Sequence, residues 1–111
     1  MTGAEFEAFV TGKAFSYARN GLLFGTEAYR AEGQVLWLGA DGVCLAGEWV
    51  AKAGEICFIY EADGSGIPRV CAPIYRQGDG LRAAEHSGAE VIGLPVAVPD
   101  LSACTGPKLG A

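Results

Sequence analysis

The stretch "GEICFIYEADGSGIPRVCAPIYR", residues 54–76, carries two of the chain's four cysteines on either side of a glycine-rich turn. The segments 55–61 and 69–76 are rich in the β-branched and aromatic residues that favour strands. If the turn lies at the centre of the stretch, Cys57 faces Cys71 directly, and a twisted hairpin brings their Cβ atoms close enough for a disulfide. The stretch therefore predicts a β-hairpin that a Cys57–Cys71 bridge closes.

The positions of all four cysteines favour disulfides over a metal site or a redox motif. Structural zinc sites and thioredoxin-like motifs use close pairs such as Cys-x-x-Cys, and no such pair occurs in this chain. An even number of cysteines in separate strand-like segments of a small chain is typical of a disulfide framework. We therefore expect a second bridge, Cys44–Cys104, and neither a metal site nor a cofactor.

Disulfides also indicate a compartment. They persist in oxidising environments, so the expected location is periplasmic or secreted. The first segment, "MTGAEFEAFVTGK", has neither the charged nor the apolar region of a signal peptide. Taken alone, this segment fits a cytosolic protein or a mature chain. With the cysteines, it predicts an exported protein whose signal peptide has been removed.

Turn signals divide the rest of the chain into short strands. Thr2 and Glu5 have the spacing of a capping box, which predicts one short helix over residues 2–11. The predicted strands are 14–18, 22–30, 34–40, 43–50, 55–61, 69–76, 81–86 and 89–98. Because no helix separates them, we expect an all-β fold in which an antiparallel meander closes into a small barrel or half-barrel of seven or eight strands. A two-sheet β-sandwich is the alternative.

Length and charge limit the classes of protein further. The 111 residues are enough for a single domain, 1–111, with its own core. A net charge of −5 argues against nucleic acid as a partner, because phosphate contacts need clustered lysine and arginine. No run of about 18 apolar residues occurs, so no membrane span is predicted.

Several segments resemble a group of known proteins. "TGKAFSY" (11–17), "GEW" (47–49) and "EICFIYE" (55–61) are similar to motifs of small exported bacterial proteins of unknown function. The resemblance covers residues 5–71 and extends faintly to "CTGPKLG" near the C-terminus. It implies a calycin-like β-barrel and export, and it implies no activity.

The sequence contains no recognisable catalytic motif. A Ser-His-Asp pattern, a Walker loop and a dinucleotide fingerprint are all missing. The one histidine, His86, follows Glu85, whose side chain points to the opposite face of a strand, so the two do not form an acid–base pair. We expect a protein that is not an enzyme.

The aromatic residues supply the candidate ligand site. Most of them are expected to fill the interior of a barrel of this size. If a site exists, its predicted lining is Trp37, Trp49 and Tyr60, with Glu27 or Arg82 as the polar group.

Three functions stay open at this point. The favoured one is an exported domain that binds a small apolar ligand or a protein of unknown identity. The second is a periplasmic inhibitor of a cell-wall hydrolase, resembling the small disulfide-bonded barrels that plug lysozyme with a loop, here "DGSGIPR" (63–69). The third and least favoured is an enzyme. A cavity above about 300 Å³ would favour the first function, and a protruding loop over a filled barrel the second.

Overall fold

The computed structural model describes residues 1–60 and 70–100. In these residues, one short α-helix precedes nine β-strands, and a 3₁₀ turn at Ala31–Gly33 joins the second strand to the third. The elements are α1 (Gly3–Val10), β1 (Ala14–Arg19), β2 (Leu22–Tyr29), β3 (Gln34–Gly39), β4 (Cys44–Lys52), β5 (Glu55–Tyr60), β6 (Val70–Ala72), β7 (Ile74–Gln77), β8 (Gly80–Ala84) and β9 (Glu90–Val96). The predicted all-β fold with one N-terminal helix is confirmed.

All the described strands belong to one antiparallel sheet that is nearly closed into a barrel. The strand order is β6-β5-β4-β3-β2-β1-β9-β8-β7. Consecutive strands pair from β1 to β6 and from β7 to β9, and β9 returns to pair with β1. The structure thus has the predicted meander and barrel, and not the two-sheet sandwich.

The described sheet has nine strands where the sequence predicts seven or eight, because Pro73 divides the predicted strand 69–76 into two. Proline has no N–H to donate to a sheet, so strand pairing is interrupted there. Before it, β6 pairs with β5, and after it, β7 pairs with β8. Since β6 and β7 are the two edges of the sheet, a single stretch of chain spans the gap at which the barrel closes.

Helix α1 closes one end of the barrel. The predicted capping box is present: Thr2 Oγ1 accepts from the Glu5 N–H at 3.1 Å, and the Thr2 N–H donates to Glu5 Oε1 at 2.8 Å. The helix residues Phe6 and Val10 are fully buried. The Phe6 ring packs edge-on against three aromatic rings of the barrel, which are those of Tyr29, Trp49 and Phe58. Burial of two large apolar side chains therefore holds the helix on the sheet.

Two hairpin turns contain residues with positive φ. Asn20 and Gly21 both have positive φ, at 50° and 86°, as a two-residue turn between antiparallel strands requires. Gly42, in the Asp-Gly turn before β4, has a φ of 87°.

The Cys57–Cys71 disulfide is present in the predicted register. The two residues are direct partners in the pairing of β5 with β6, and their Cα atoms are 4.0 Å apart. The bridge lies on the outer face of the barrel, because the neighbours Ile56 and Phe58 belong to the interior core. The other predicted bridge, Cys44–Cys104, involves Cys104, which lies outside the described part of the chain. The loop 63–69 also lies outside the described residues.

Removal of the Cys57–Cys71 bridge is expected to lower the free energy of unfolding by about 3 kcal/mol, because the bridge joins residues 14 apart in the chain. The Cys57→Ala/Cys71→Ala variant in urea melts measures this loss. Either single variant should show a similar loss, since each removes the bridge. Two results together would show that the bridge does not form: a double variant as stable as the wild type, and a non-reducing peptide map of the wild type without a Cys57–Cys71 peptide.

Two further findings concern only the described residues. No helix there has the length and the hydropathy that a membrane crossing requires. No group of three or more histidine, cysteine or acidic side chains there is arranged to hold a metal ion.

Candidate ligand-binding cavity

A cavity of about 310 Å³ lies inside the barrel. Its floor is formed by Tyr29 and Phe58, and Phe6 of α1 packs beneath both rings. Arg19 and Glu85, which are partly exposed, lie at the other end. Among the described residues, the lining is Tyr17, Arg19, Phe24, Glu27, Tyr29, Trp37, Phe58, Tyr60, Val70, Ala72, Ile74, Ala83, Glu85 and Val91. The cavity is therefore an apolar, largely aromatic space that helix α1 closes at one end.

Three of the lining rings lie over glycines of a neighbouring strand. The pairs are Tyr17 over Gly93, Trp37 over Gly25 and Tyr60 over Gly47. A Cβ atom at these glycines would lie within 2.8 Å of the ring, which is closer than real Cβ contacts allow. Small residues in these strands thus let large rings lie flat along the wall, and the open space remains between the rings.

A β-bulge shapes one side of the wall. The pairing of β1 with β2 shifts register after Tyr17, so that Phe24 is an extra residue in β2 beside Gly25. The sequence predicts a bulge or bend at this glycine. The bulge brings the Phe24 ring to the cavity, where it packs 5.3 Å from the ring of Trp37.

Glu27 is a carboxyl group buried in this apolar wall. Its side chain is only 2% exposed. Tyr60 donates a hydrogen bond to Glu27 Oε1 at 2.7 Å, whereas Glu27 Oε2 has no hydrogen-bond partner in the described structure. Nearby, the hydroxyl groups of Tyr17 and Tyr29 bond to each other at 2.7 Å. A buried polar atom without a partner is costly, so Oε2 is a group that a bound molecule could satisfy.

Burial controls the protonation of Glu27. Loss of hydration raises the pKa of this carboxyl to about 8, and the hydrogen bond from Tyr60 offsets only part of the increase. Burial also raises the pKa values of Tyr17, Tyr29 and Tyr60 above their ordinary range. Without a charged partner, Glu27 is consequently protonated and uncharged over most of the range below pH 8.

The two described charged residues at the mouth of the cavity, Arg19 and Glu85, neutralise each other. Arg19 donates to both carboxylate oxygens of Glu85, at 3.0 Å and 2.9 Å. The Arg19 guanidinium also lies 4.5 Å from the centre of the Phe24 ring. Because this bidentate pair carries no net charge, the described residues at the mouth present no unbalanced cation toward Glu27.

Three of the five predicted site residues line the cavity and two do not. Glu27, Trp37 and Tyr60 come together in its wall. Trp49 packs instead against Phe6 in the core, and the centres of the two rings are 4.9 Å apart. Arg82 lies outside the barrel, where its guanidinium covers the ring of Tyr75 at 4.7 Å.

For the other aromatic wall residues, the sequence predicts a place in the filled interior of the barrel. Tyr17 and Tyr29 follow the alternation of inward-facing strand positions, and that signal does not distinguish a filled interior from the wall of a cavity. Phe24 departs from the alternation and reaches the cavity through the bulge beside Gly25. Arg19 and Glu85 are 66 positions apart in the chain, and no local pattern links them.

Comparisons with known proteins do not identify the site. Comparison with models of protein families, with characterised proteins and with solved structures found no match. The resemblance to exported calycin-like proteins therefore stays a prediction.

Proposed function

We propose that this protein is a non-enzymatic, exported binding protein that holds a small apolar ligand inside its barrel. The observation that carries the proposal is a cavity of about 310 Å³ whose described lining is apolar and largely aromatic, with Glu27 as a buried carboxyl in the wall and the Arg19–Glu85 ion pair at the mouth. Binding sites for small molecules are commonly apolar spaces of about 300–1,000 Å³ with a few polar groups that orient the ligand. This cavity lies at the lower end of that range, which favours a compact ligand.

Export is the second part of the proposal. The Cys57–Cys71 bridge supports it, because disulfides of this kind persist in oxidising compartments. The periplasm or the extracellular space is the proposed location. The inhibitor of a cell-wall hydrolase remains a prediction from the sequence, since it depends on the loop 63–69, which lies outside the described residues.

The proposal predicts that filling the cavity abolishes binding of an apolar probe. The neutral fluorescent probe N-phenyl-α-naphthylamine is expected to bind the wild type saturably. Ala83 is half-buried and lines the cavity. The Ala83→Leu variant is expected to bind the probe about tenfold or more weakly, because the larger side chain occupies ligand space.

The neighbouring residue provides a matched control. Ala84 is exposed on the opposite face of β8. The same substitution there, Ala84→Leu, is expected to leave probe affinity unchanged. Equal affinities in the two variants would place the probe outside the cavity, and a wild type without saturable binding would contradict the proposed function.

A further inference from the structure

We propose that the ligand is a small hydrophobic amine, whose ammonium group pairs with Glu27 while its apolar part fills the aromatic cavity. This inference rests on the proposed function, since it names the class of ligand for the same cavity. It starts from Glu27 Oε2, a carboxyl oxygen in the cavity wall that has no hydrogen-bond partner in the described structure.

The surroundings of Glu27 favour a positively charged ligand group. The rings of Tyr17, Trp37 and Tyr60 line the same cavity, and aromatic faces attract cations. The only arginine in the described lining, Arg19, is already paired with Glu85. An ammonium group near Glu27 would thus gain a charge-assisted hydrogen bond and aromatic contacts, and it would displace no cation of the protein.

Other ligand classes fit the cavity less well. A carboxylate could accept a hydrogen bond from protonated Glu27, but it would lack a free cation in the described wall, and ionisation of Glu27 above about pH 8 would repel it. A neutral alcohol could form a hydrogen bond with Oε2 of the protonated carboxyl, but it would not gain the attraction between opposite charges. The net charge of −5 also favours the approach of cations over anions.

Binding of an ammonium ion must release a proton. Without a charged partner, burial raises the pKa of Glu27 to about 8, so the carboxyl is protonated at neutral pH. The balanced step is Glu27–COOH plus R–NH₃⁺ giving the Glu27 carboxylate paired with R–NH₃⁺ and one H⁺ in solution. Below about pH 8, amine affinity is therefore expected to rise about tenfold per pH unit, and it should level off above that value.

The other titratable groups that face Glu27 do not produce this pH dependence. They are Tyr60 on β5, Tyr17 on β1 and Tyr29 on β2, and their pKa values are all raised above the usual range. Arg19 and Glu85 at the mouth form an ion pair with each other. His86 pairs with Glu55 at 2.7 Å, and neither residue lines the cavity.

The test compares three ligands of similar shape by isothermal titration calorimetry. Phenethylamine is expected to bind the wild type at least about tenfold more tightly than phenethyl alcohol or hydrocinnamate at pH 8. In the Glu27→Gln variant this preference should disappear, because the amide cannot carry a negative charge, while alcohol affinity should change by less than about threefold. Glu48→Gln, on an exposed residue of β4, is the control and should keep the preference.

Proton release provides a measurement that needs no variant. Titrations of the wild type at pH 7 in buffers of different ionisation enthalpy are expected to show about one proton released per phenethylamine bound and none per phenethyl alcohol. Equal binding of amine and alcohol, tighter binding of hydrocinnamate, or no proton release would overturn the amine assignment. If N-phenyl-α-naphthylamine still bound the cavity, the proposed function would stand. Failure of every ligand, that probe included, would reject both.

Discussion

Replacement of Trp49 by alanine is expected to lower the free energy of unfolding by about 3–5 kcal/mol. Trp49 is 9% exposed, and its ring packs edge-to-face against Phe6 with the ring centres 4.9 Å apart. The substitution removes most of this contact between β4 and α1 and leaves a hole beneath the cavity floor. Urea melts followed by circular dichroism measure the loss.

Trp49→Phe separates the ring packing from the indole N–H. Trp49 Nε1 is buried without a hydrogen-bond partner in the described structure, so the phenylalanine variant removes a costly group and keeps a ring against Phe6. Its expected loss is under about 2 kcal/mol. Leu22→Ala, at a side chain that is 76% exposed, should change stability by less than about 0.5 kcal/mol. A Trp49→Ala loss of similar size to that of Leu22→Ala would mean that α1 does not depend on this contact.

The wild type is expected to lose stability on the order of 4 kcal/mol relative to Glu27→Gln between about pH 5 and pH 8. The pKa of Glu27 rises from its ordinary value of 4.5 to about 8 on folding. Between these two values the folded protein binds more protons than the unfolded chain. Stability therefore falls as the pH increases, because the buried carboxyl must either stay protonated at growing cost or ionise without water.

The difference between two variants isolates this effect from other titrating groups. Glu27→Gln keeps the acceptor for the Tyr60 hydroxyl but cannot ionise, so its stability should depend less on pH. Exposed Glu48 is again the control, and Glu48→Gln should follow the wild type. Thermal or urea melts across this range give the comparison. Parallel curves for wild type and Glu27→Gln would mean that Glu27 ionises in the folded protein as readily as in water.

Local patterns explain why much of the fold is predictable from the sequence. The capping box, the Asn-Gly turn and the pairing of Cys57 with Cys71 depend on residues close in the chain. The role of Pro73 is different. A proline predicts interrupted pairing, but only the tertiary structure shows that the strands before and after it form opposite edges of one sheet.

The candidate site shows the limit of strand alternation more clearly. Alternation gives the face of a residue, and in β8 it places Arg82 outside once Leu81 and Ala83 face inward. Alternation does not give the position of a residue along the barrel axis. Trp37 and Trp49 both belong to the inner face, yet one lines the cavity and the other packs under its floor, because α1 covers only one end.

The most direct measurement of ligand binding in the barrel is a set of intermolecular nuclear Overhauser effects between the labelled protein and bound N-phenyl-α-naphthylamine. Contacts are expected from the probe to the rings of Trp37 and Tyr60 and to the methyl groups of Ala83 and Val91, all of which line the cavity. Contacts confined to exposed apolar residues of the outer surface, such as Leu22 or Leu94, would contradict binding inside the barrel.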